Sequence, residues 1–176
     1  MLLSRGSVLA IAAAALVASA APAAAVDCPN SPFTCETDRG GKYAEICATE
    51  VVPGETWRDV YYRFGAEGQP PEMVFPAPPQ DGAKLFRFSH TTAGSDYRVS
   101  VRFTNGSFTY TVYSNSGQAT AGVRVTDASG KVVANVRCVE RPVICPSYLQ
   151  RALACDTEGP YGRAACGDKP LRLPKH

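Results

Sequence analysis

Seven cysteines are the residues of this chain with the clearest capacity for chemistry: Cys28, Cys35, Cys47, Cys138, Cys145, Cys155 and Cys166. If the chain is exported, they meet an oxidising compartment, and disulfide bonds are their expected state. Zinc is not expected, because the sequence has no Cys-x-x-Cys pair and its only histidines are His90 and His176. The odd count leaves at least one thiol unpaired or bonded to another chain.

A predicted hairpin suggests one of the disulfide pairings. Phe33–Thr37 and Tyr43–Thr49 alternate as strands on either side of a glycine-rich turn. One register of this hairpin sets Cys35 opposite Cys47, at a Cα spacing that a disulfide can bridge. We therefore predict a Cys35–Cys47 bond, with two buried free thiols on adjacent strands as the alternative. The other disulfide candidates, whose connectivity the sequence leaves open, are Cys138, Cys145, Cys155 and Cys166.

Few residues are candidates for catalysis. His90 lies near Ser89 and Asp96, the residue types of a serine-type site, but no nucleophile-elbow motif surrounds the serine. We interpret His90 as a polar residue at the end of a strand. Cys145 precedes a predicted helix and lies near Arg141, and both features could lower a thiol pKa; an unpaired thiol without catalysis is the preferred interpretation. We expect no catalytic residue, no metal, no cofactor and no enzymatic activity.

Four arginines provide a candidate binding surface. Arg98, Arg102, Arg124 and Arg137 fall on the polar faces of their predicted strands, together with the ring of Tyr113. If the two hairpins that carry them lie side by side, these residues form a basic face. Such a face could bind an anionic glycan, a lipid headgroup or an acidic protein. The alternative is an ordinary solvated sheet surface.

The hairpin Tyr97–Tyr113 is the element that must position most of these side chains. Asn105 and Gly106 both tolerate positive φ, as a two-residue hairpin turn requires. The pairs that this turn sets on the apolar face are Phe103 with Phe108, Val101 with Tyr110, and Val99 with Val112. Turn chemistry and period-two alternation thus agree on a hairpin with one apolar and one polar face.

Short alternating segments recur along the rest of the chain. They are Trp57–Phe64, Glu72–Phe75, Leu85–Ser89, and a hairpin of Gly122–Thr126 with Lys131–Cys138 in which Val125 meets Val132. Loops separate them, including 91–95 and the proline-rich 76–82, where each proline lacks a ladder donor. The total of about nine short strands predicts an all-β domain, an antiparallel sandwich or barrel, over residues 26–138.

The segment 139–176 differs from the β domain and is rich in cysteine. Tyr148–Cys155 is predicted to be a short helix with Ser147 as its N-cap and with Leu149 and Leu153 on one face. A helix of this length is marginal alone, so we expect disulfides to tether it. We interpret the segment as an appendage on the β domain.

The first residues have the pattern of an export signal. Arg5 precedes the apolar run Val8–Val17, and small alanines at 23–25 follow, so residues 1–25 are expected to be removed. The run is too short and too alanine-rich for a stable membrane span, although an uncleaved anchor is the alternative. The remaining 151 residues carry 17 basic and 16 acidic side chains. This balance argues against nucleic-acid binding and leaves a secreted or periplasmic protein as the expectation.

Several segments resemble a set of small exported bacterial proteins of unknown function: Phe33–Cys35, Lys42–Cys47, Tyr62–Gly65 and Glu72–Pro76. The resemblance covers about Phe33 to Val125 and implies a β fold without a known activity. Gly94–Tyr97 resembles the Ser/Gly-rich loop ending in Tyr of the bacterial c-type lysozyme inhibitors, which are also exported β domains. The lysine-containing motif of that family is not found here, so no inhibitory residue is transferred.

These observations predict an exported, disulfide-linked bacterial β domain that binds an envelope glycan or a protein without catalysis. The alternative is a proteinaceous inhibitor of a lysozyme-like or other hydrolase, acting by inserting a loop over 91–96. A small enzyme or redox protein is the third class considered.

Overall fold

The computed structural model describes residues 28, 30–50, 57–159 and 162–166. The export signal predicted over residues 1–25 lies outside the described residues. A turn predicted at 52–55 also lies outside them.

Eleven strands and one α-helix are present in the described chain. In order they are β1 Asn30–Glu36, β2 Lys42–Glu50, β3 Arg58–Ala66, β4 Met73–Phe75, β5 Arg87–Ala93, β6 Asp96–Asn105, β7 Phe108–Asn115, β8 Thr120–Thr126, β9 Val132–Arg137, β10 Val143–Ile144, α1 Pro146–Ala152 and β11 Ala154–Cys155. Sheet 1 has the order β10-β1-β2-β3-β4, and sheet 2 the order β11-β5-β6-β7-β8-β9. Every pairing is antiparallel except that of β11 with β5. The two sheets pack as a sandwich, which confirms the predicted all-β fold.

The core between the sheets is centred on Phe103 of β6. Its ring centroid lies 5.1 Å from that of Tyr62 and 4.9 Å from that of Phe75, both in sheet 1. Its ring centroid also lies 5.0 Å from those of Phe86, which precedes β5, and Tyr110 of β7, both on the sheet 2 side of the core. Aromatic pairs at these distances contribute about 0.5–1.5 kcal/mol each beyond their buried area. Phe103 therefore joins the two layers.

Alkaline solution is expected to destabilise the protein through Tyr62, which is 3% exposed. Burial, with a smaller contribution from Tyr110, raises the pKa of Tyr62 above its usual value. The folded chain then keeps the phenol protonated, whereas the unfolded chain releases the proton above about pH 10. The stability that the neutral phenol contributes is present below that pH and is lost as the pH rises through it.

Urea denaturation between neutral pH and about pH 11 tests this expectation. Cys145→Ser is the background, because it removes thiolate exchange with the disulfides at alkaline pH. Tyr62→Phe should flatten the alkaline decline of the unfolding free energy. Equal slopes for the two proteins would show that Tyr62 does not carry the effect.

The β6–β7 hairpin has the predicted faces but a different register. Phe103 pairs with Tyr110 rather than with Phe108. The two turn residues are therefore Gly106 and Ser107, and Gly106 has φ +60. Glycine at the first central position suits a type II′ turn, which also matches the twist of the strands. Because the partners shift by two, an even number, every side chain stays on its predicted face.

The β8–β9 hairpin shows the same kind of shift. Val125 pairs with Ala134 rather than with the predicted Val132, and an irregularity follows at Thr126. Lys131 and Ser129 donate backbone N–H groups to the Asp127 carboxylate, which organises the turn. The apolar face is kept from Val123 to Val125, where the displacement is even, whereas Val132 pairs with Thr126 beyond the irregularity and is 50% exposed.

The β1–β2 hairpin is the case in which the register error matters. Cys35 lies opposite Ala44 instead of Cys47, a displacement of three residues. An odd displacement moves the two cysteines to opposite faces of sheet 1. Cys35 points into the core, whereas Cys47 shares the outer face with Tyr61. The predicted Cys35–Cys47 disulfide is therefore wrong.

Three other disulfides are present: Cys28–Cys47, Cys35–Cys138 and Cys155–Cys166. Cys35–Cys138 links β1 of sheet 1 to the residue that follows β9 of sheet 2, with Cα atoms 5.5 Å apart. Cys145 was a disulfide candidate but has a free thiol, so the expectation of at least one unpaired cysteine is confirmed.

The described part of the cysteine-rich segment contributes to both layers of the sandwich. β10 pairs with β1, and β11 pairs with β5. Between them, α1 and the residue that follows it place Leu149 and Leu153 in the core, where they are 1% and 6% exposed. The limits predicted for this segment, 139–176, stay a prediction.

Helix α1 does not have the predicted ends. It begins at Pro146 and ends at Ala152, and Cys145 is its N-cap, without a side-chain capping bond. Ser147 lies inside the first turn, so its predicted capping role is wrong; proline at the first helical position accounts for the earlier start. None of the helices in the described part of the chain has the length and apolar character that a membrane crossing requires.

Candidate ligand-binding face

Strand pairing brings the predicted arginines together on the outer face of sheet 2. Across the strands, Arg102 is in line with Thr111 and Arg124, and Tyr113 is in line with Gly122 and Arg137. Arg98 is in line with Asn115. Directly opposed residues share a face of a sheet. We call the surface formed by Arg98, Arg102, Arg124, Arg137 and Tyr113 the basic face.

Arg87 is a fifth arginine on this side of the sheet that the sequence interpretation did not single out. It lies opposite Arg102. Its guanidinium donates to the backbone carbonyls of Lys84, at 2.7 Å, and Phe86, at 2.9 Å. The alternation of Leu85–Ser89, with Phe86 and Phe88 inward, was the signal that places Arg87 outward.

Arg102 is held by a carboxylate from the cysteine-rich segment. Its Nε donates to Oδ2 of Asp156 at 2.8 Å, and its Nη2 donates to Oδ1 of the same carboxylate. Glu158 adds a weaker contact at 3.5 Å. The hydrogen bonds to Asp156 raise the pKa of Arg102. Asp156 is 2% exposed, so the charge of Arg102 is balanced inside the protein and is not available to a ligand.

Arg124 and Tyr113 form the second arrangement on the basic face. The guanidinium carbon of Arg124 lies 5.4 Å from the ring centroid of Tyr113, within the range of a cation–π contact. The Tyr113 hydroxyl donates to Oδ1 of Asn135 at 3.3 Å. This hydrogen bond holds the Tyr113 ring in position from its hydroxyl end, and the exposed guanidinium of Arg124 packs against that ring.

Three depressions on the basic face adjoin one another across the strands and share lining residues, and we call them together the cross-strand groove. The central one, of about 290 Å³, is lined by Ser89, Arg98, Tyr113, Arg124 and Asp156, among others. A second, of about 220 Å³, shares Arg98 and continues to Asp96. A third, of about 520 Å³, shares Tyr113 and Arg124 and continues to Arg137. The groove thus extends from β5 to β9.

Amide side chains line the groove between the arginines. Asn115 and Gln118 lie at the β7–β8 connection, where the Asn115 amide donates to Oε1 of Gln118 at 3.0 Å. Asn135 lines the β9 end. Each amide offers both a donor and an acceptor. The groove therefore combines fixed positive charge with groups that can exchange hydrogen bonds with hydroxyls.

The residues considered for a serine-type site do not converge. Ser89 lies on the outer face, where its Oγ is 2.7 Å from that of Ser100. His90 pairs with Val99 on the inner face, and burial lowers its pKa. Consecutive strand residues point to opposite faces, so Ser89 and His90 are separated by the sheet. His90 also lies in the middle of β5, not at the predicted strand end.

The segment 91–96, expected to be a loop, is mostly strand. β5 continues to Ala93, and β6 begins at Asp96. Only Gly94 and Ser95 form the turn, with Gly94 at φ +63. The segment is therefore the tip of a hairpin between β5 and β6 instead of the insertable loop on which the inhibitor hypothesis depends.

Cys28, Glu45 and Cys47 are the one group of potential metal ligands found among the described residues. The two sulfurs are bonded to each other, so neither is a thiolate available to a metal. The nearby Glu45 carboxylate accepts from Nη1 of Arg63 at 3.2 Å. Burial raises the pKa of Glu45, and Arg63 opposes that shift.

In comparisons with models of protein families, with curated proteins and with solved structures, no match to this chain was found.

Proposed function

We propose that the protein is an exported, non-enzymatic binding domain that takes an anionic ligand on the basic face. The observation that carries the proposal is the exposed guanidinium of Arg124, supported by Tyr113 within a groove. A guanidinium held in one orientation can donate two parallel hydrogen bonds to a carboxylate, sulfate or phosphate. Fixing it in advance reduces the entropy lost on binding.

The scaffold supports binding over catalysis. Ser89 and His90 lie on opposite faces of sheet 2. The buried carboxylate of Asp156 is engaged in an ion pair with Arg102 and so is not placed to act as a catalytic acid or base. The groove is open and spread over several strands, which suits recognition of an extended surface or chain. The chemistry of the side chains that line it is hydrogen bonding and charge pairing.

The disulfides support location in an oxidising compartment, secreted or periplasmic. Three bridges join residues of the described chain, two of them involving the β1–β2 hairpin. Such bonds persist outside the cytosol. The export signal predicted from residues 1–25 is consistent with that location.

Replacing Arg124 by alanine tests the proposal. We expect the variant to lose at least about tenfold in affinity for an anionic ligand, because a charge-assisted hydrogen-bond pair contributes about 1.5–3 kcal/mol. The probes are a polyuronate, a sulfated polysaccharide, polyglutamate and vesicles with anionic headgroups, followed by calorimetry and by NMR of the arginine Nε–H groups. Arg124 is exposed, so the fold should be kept.

Lys84→Ala is the control, because it removes one exposed positive charge outside the basic face. It should bind like the unmodified protein. If no probe perturbs Arg124, or if both variants lose affinity equally, the proposal fails. Lysozymes and proteases are assayed in the same series, and stoichiometric inhibition of one of them would favour the inhibitor alternative.

A further inference from the structure

We propose that Arg124 and Arg137 together bind a single phosphate monoester group in the depression that both side chains line. This inference rests on the function proposed above and names the chemical class of its ligand. It also assigns Arg137 as the second residue that contacts the anion. Three observations carry it: which arginines of the basic face have a carboxylate partner, where strand pairing places the other two, and the polar groups that surround them.

The charges of the basic face that remain for a ligand are those of Arg124 and Arg137. Arg102 is paired with the buried carboxylate of Asp156, and Arg98 takes part in an interaction within the protein. In the part of the chain that the structure describes, no carboxylate forms an ion pair with Arg124 or Arg137, and both residues are exposed. Two neighbouring positive charges repel each other, so an anion that contacts both relieves that repulsion.

Asp38 is an acidic residue that contacts Arg137, but only through the backbone. The backbone N–H of Asp38 donates to the carbonyl of Arg137 at 2.9 Å, and Oδ1 of Asp38 accepts from the backbone N–H of Arg137 at 3.3 Å. The same carboxylate oxygen lies 3.6 Å from Nε of Arg39, which balances its charge. Asp38 therefore fixes the end of β9 and leaves the guanidinium of Arg137 for a ligand.

Strand pairing sets Arg124 and Arg137 at a separation that one anion can bridge. Arg137 lies opposite Gly122 of β8, and Arg124 lies two residues further along the same strand. With strands about 4.8 Å apart and a rise of about 3.4 Å per residue, the two Cα atoms are about 8 Å apart. Both arginines line the depression of about 520 Å³ at the β9 end of the cross-strand groove. Two long side chains that line one depression can contact the same group.

Gly122 provides no side chain between Tyr113 and Arg137, which lie on either side of it in one row across β7, β8 and β9. Glycine is required at this position, because a Cβ atom would lie 2.1 Å from the carbonyl oxygen of Val136. The guanidinium carbon of Arg124 lies 5.4 Å from the ring centroid of Tyr113, so Arg124 leans towards the row that contains Arg137. The close packing of β8 on β9 thus leaves the two guanidinium groups without an intervening side chain.

The donors of two arginines match a phosphate monoester better than a carboxylate. Each guanidinium can donate two parallel hydrogen bonds to an oxyanion. A carboxylate has two oxygens and one charge, so one guanidinium already satisfies it. A phosphate monoester has three terminal oxygens and about 1.5 to 2 negative charges at pH 7. It can therefore accept hydrogen bonds from both arginines and neutralise both charges.

The other groups that line this depression suit a polar carrier of the phosphate. Gln118 and Asn135 contribute amides, and Thr120 contributes a hydroxyl. The Oδ1 atom of Asn135 accepts from Tyr113, which leaves the Nδ2 group of the amide as a further donor. The carrier can be a soluble sugar or a lipid headgroup, and the two sources are distinguished by experiment.

Three probes that share one sugar ring test the class of anion: glucose 6-phosphate, glucose 6-sulfate and glucuronate. NMR titration at about pH 8, where the phosphate carries both charges, should shift the Nε–H signals of Arg124 and Arg137 together. The sulfate, which has the same oxygens but one charge, should bind about threefold or more weakly. Glucuronate should bind about tenfold or more weakly, because it can use only one of the two guanidinium groups.

Vesicles test the lipid source with the same logic. Vesicles of neutral lipid with phosphatidic acid present a phosphate monoester, whereas vesicles with phosphatidylglycerol present a phosphate diester of one charge. Binding to phosphatidic acid through both arginines, with weaker binding to phosphatidylglycerol, supports the inference with a lipid as the source. Binding of glucose 6-phosphate through both arginines supports it with a soluble ligand as the source.

Variants of Arg137 test whether it acts with Arg124 on one group. Arg137→Ala should reduce the affinity for the phosphate probe by about tenfold and leave that for glucuronate nearly unchanged. Arg137→Lys, which keeps the charge but loses the paired donors, should give an intermediate loss. The double variant with Arg124→Ala should lose less than the product of the two single losses, because contacts to one shared group are not additive.

Lys131→Ala is the control, because it removes an exposed positive charge from the same hairpin, outside the depression. It should bind all three probes like the unmodified protein. The inference is overturned if Arg137→Ala binds phosphate normally, or if glucuronate binds as tightly as glucose 6-phosphate. If an anion binds through Arg124 without Arg137, the function proposed above stands and this inference fails. If no anion perturbs Arg124, both fail.

Discussion

Serine at both Cys35 and Cys138 is expected to lower the free energy of unfolding by about 4 kcal/mol. This disulfide closes the longest loop of the three, with a sequence separation of 103 residues. A cross-link over so long a loop removes much of the conformational freedom of the unfolded chain. It also connects the two sheets beside the core, because Cys35 is 2% exposed and belongs to the core cluster. Guanidinium denaturation under non-reducing conditions measures the loss.

Cys145→Ser is the control, since the Cys145 thiol is free. It should change the unfolding free energy by less than about 0.5 kcal/mol, as expected for a substitution that breaks no special contact. Peptide mapping of the unmodified protein supplies an independent check, with Cys28–Cys47 and Cys35–Cys138 as the expected products. A Cys35–Cys47 peptide, or a double variant as stable as the original, would refute the pairing.

Alanine at Asp156 is expected to destabilise the protein by about 3 kcal/mol. The Asp156 carboxylate is buried and accepts two hydrogen bonds from Arg102. Removing it leaves the guanidinium without its main partner in a partly buried position. Breaking such a pair typically costs about 3–5 kcal/mol, and the 24% exposure of the Arg102 side chain places the effect at the lower end.

Glu158→Ala is the comparison, because it removes the other carboxylate that contacts the same guanidinium. The Glu158 side chain is 85% exposed and lies 3.5 Å from Nη2 of Arg102, so its loss should cost at most about 1 kcal/mol. Thermal and urea unfolding of the two variants measure the difference. Equal destabilisation by the two variants would mean that burial of Asp156 does not strengthen its ion pair with Arg102. It would refute the stabilising role that we assign to this pair.

The faces of the hairpins could be predicted from sequence alone. Alternation places Val99, Val101 and Phe103 on one side of β6 and its arginines on the other, and the sandwich follows this pattern. The predicted faces of β6–β7, and of β8–β9 as far as Val125, are correct despite a wrong register, because the error there is even. The basic face could be predicted for the same reason. It depends only on which face of its strand each residue occupies, set by its odd or even position, and on the two hairpins lying side by side.

The prediction of the disulfides failed because it depended on the register itself. A glycine-rich turn such as 38–41 can close in several ways, and a displacement of three residues moved Cys35 into the core and Cys47 to the outer face. Gly40 and Gly41 both have positive φ, +67 and +72. Local turn chemistry permits that conformation without specifying the number of turn residues, so packing of the core selected the register.

Which charges of the basic face are available to a ligand was also beyond the sequence. Asp156 follows Arg102 by 54 residues and reaches it through the parallel pairing of β11 with β5. The register of β7 against β8 likewise sets Tyr113 beside Arg124.

Local pattern alone specified strands β1 to β9, most of their apolar sides and a free cysteine, because alternation and an odd count need no knowledge of distant residues. The tertiary structure alone decided the disulfide partners, the neutralisation of Arg102 and which residues line the cross-strand groove. The physical reason is that each of these features depends on contacts between residues far apart in the chain. Alternative registers and strand orders compete for those contacts, and only burial of the whole core selects one of them.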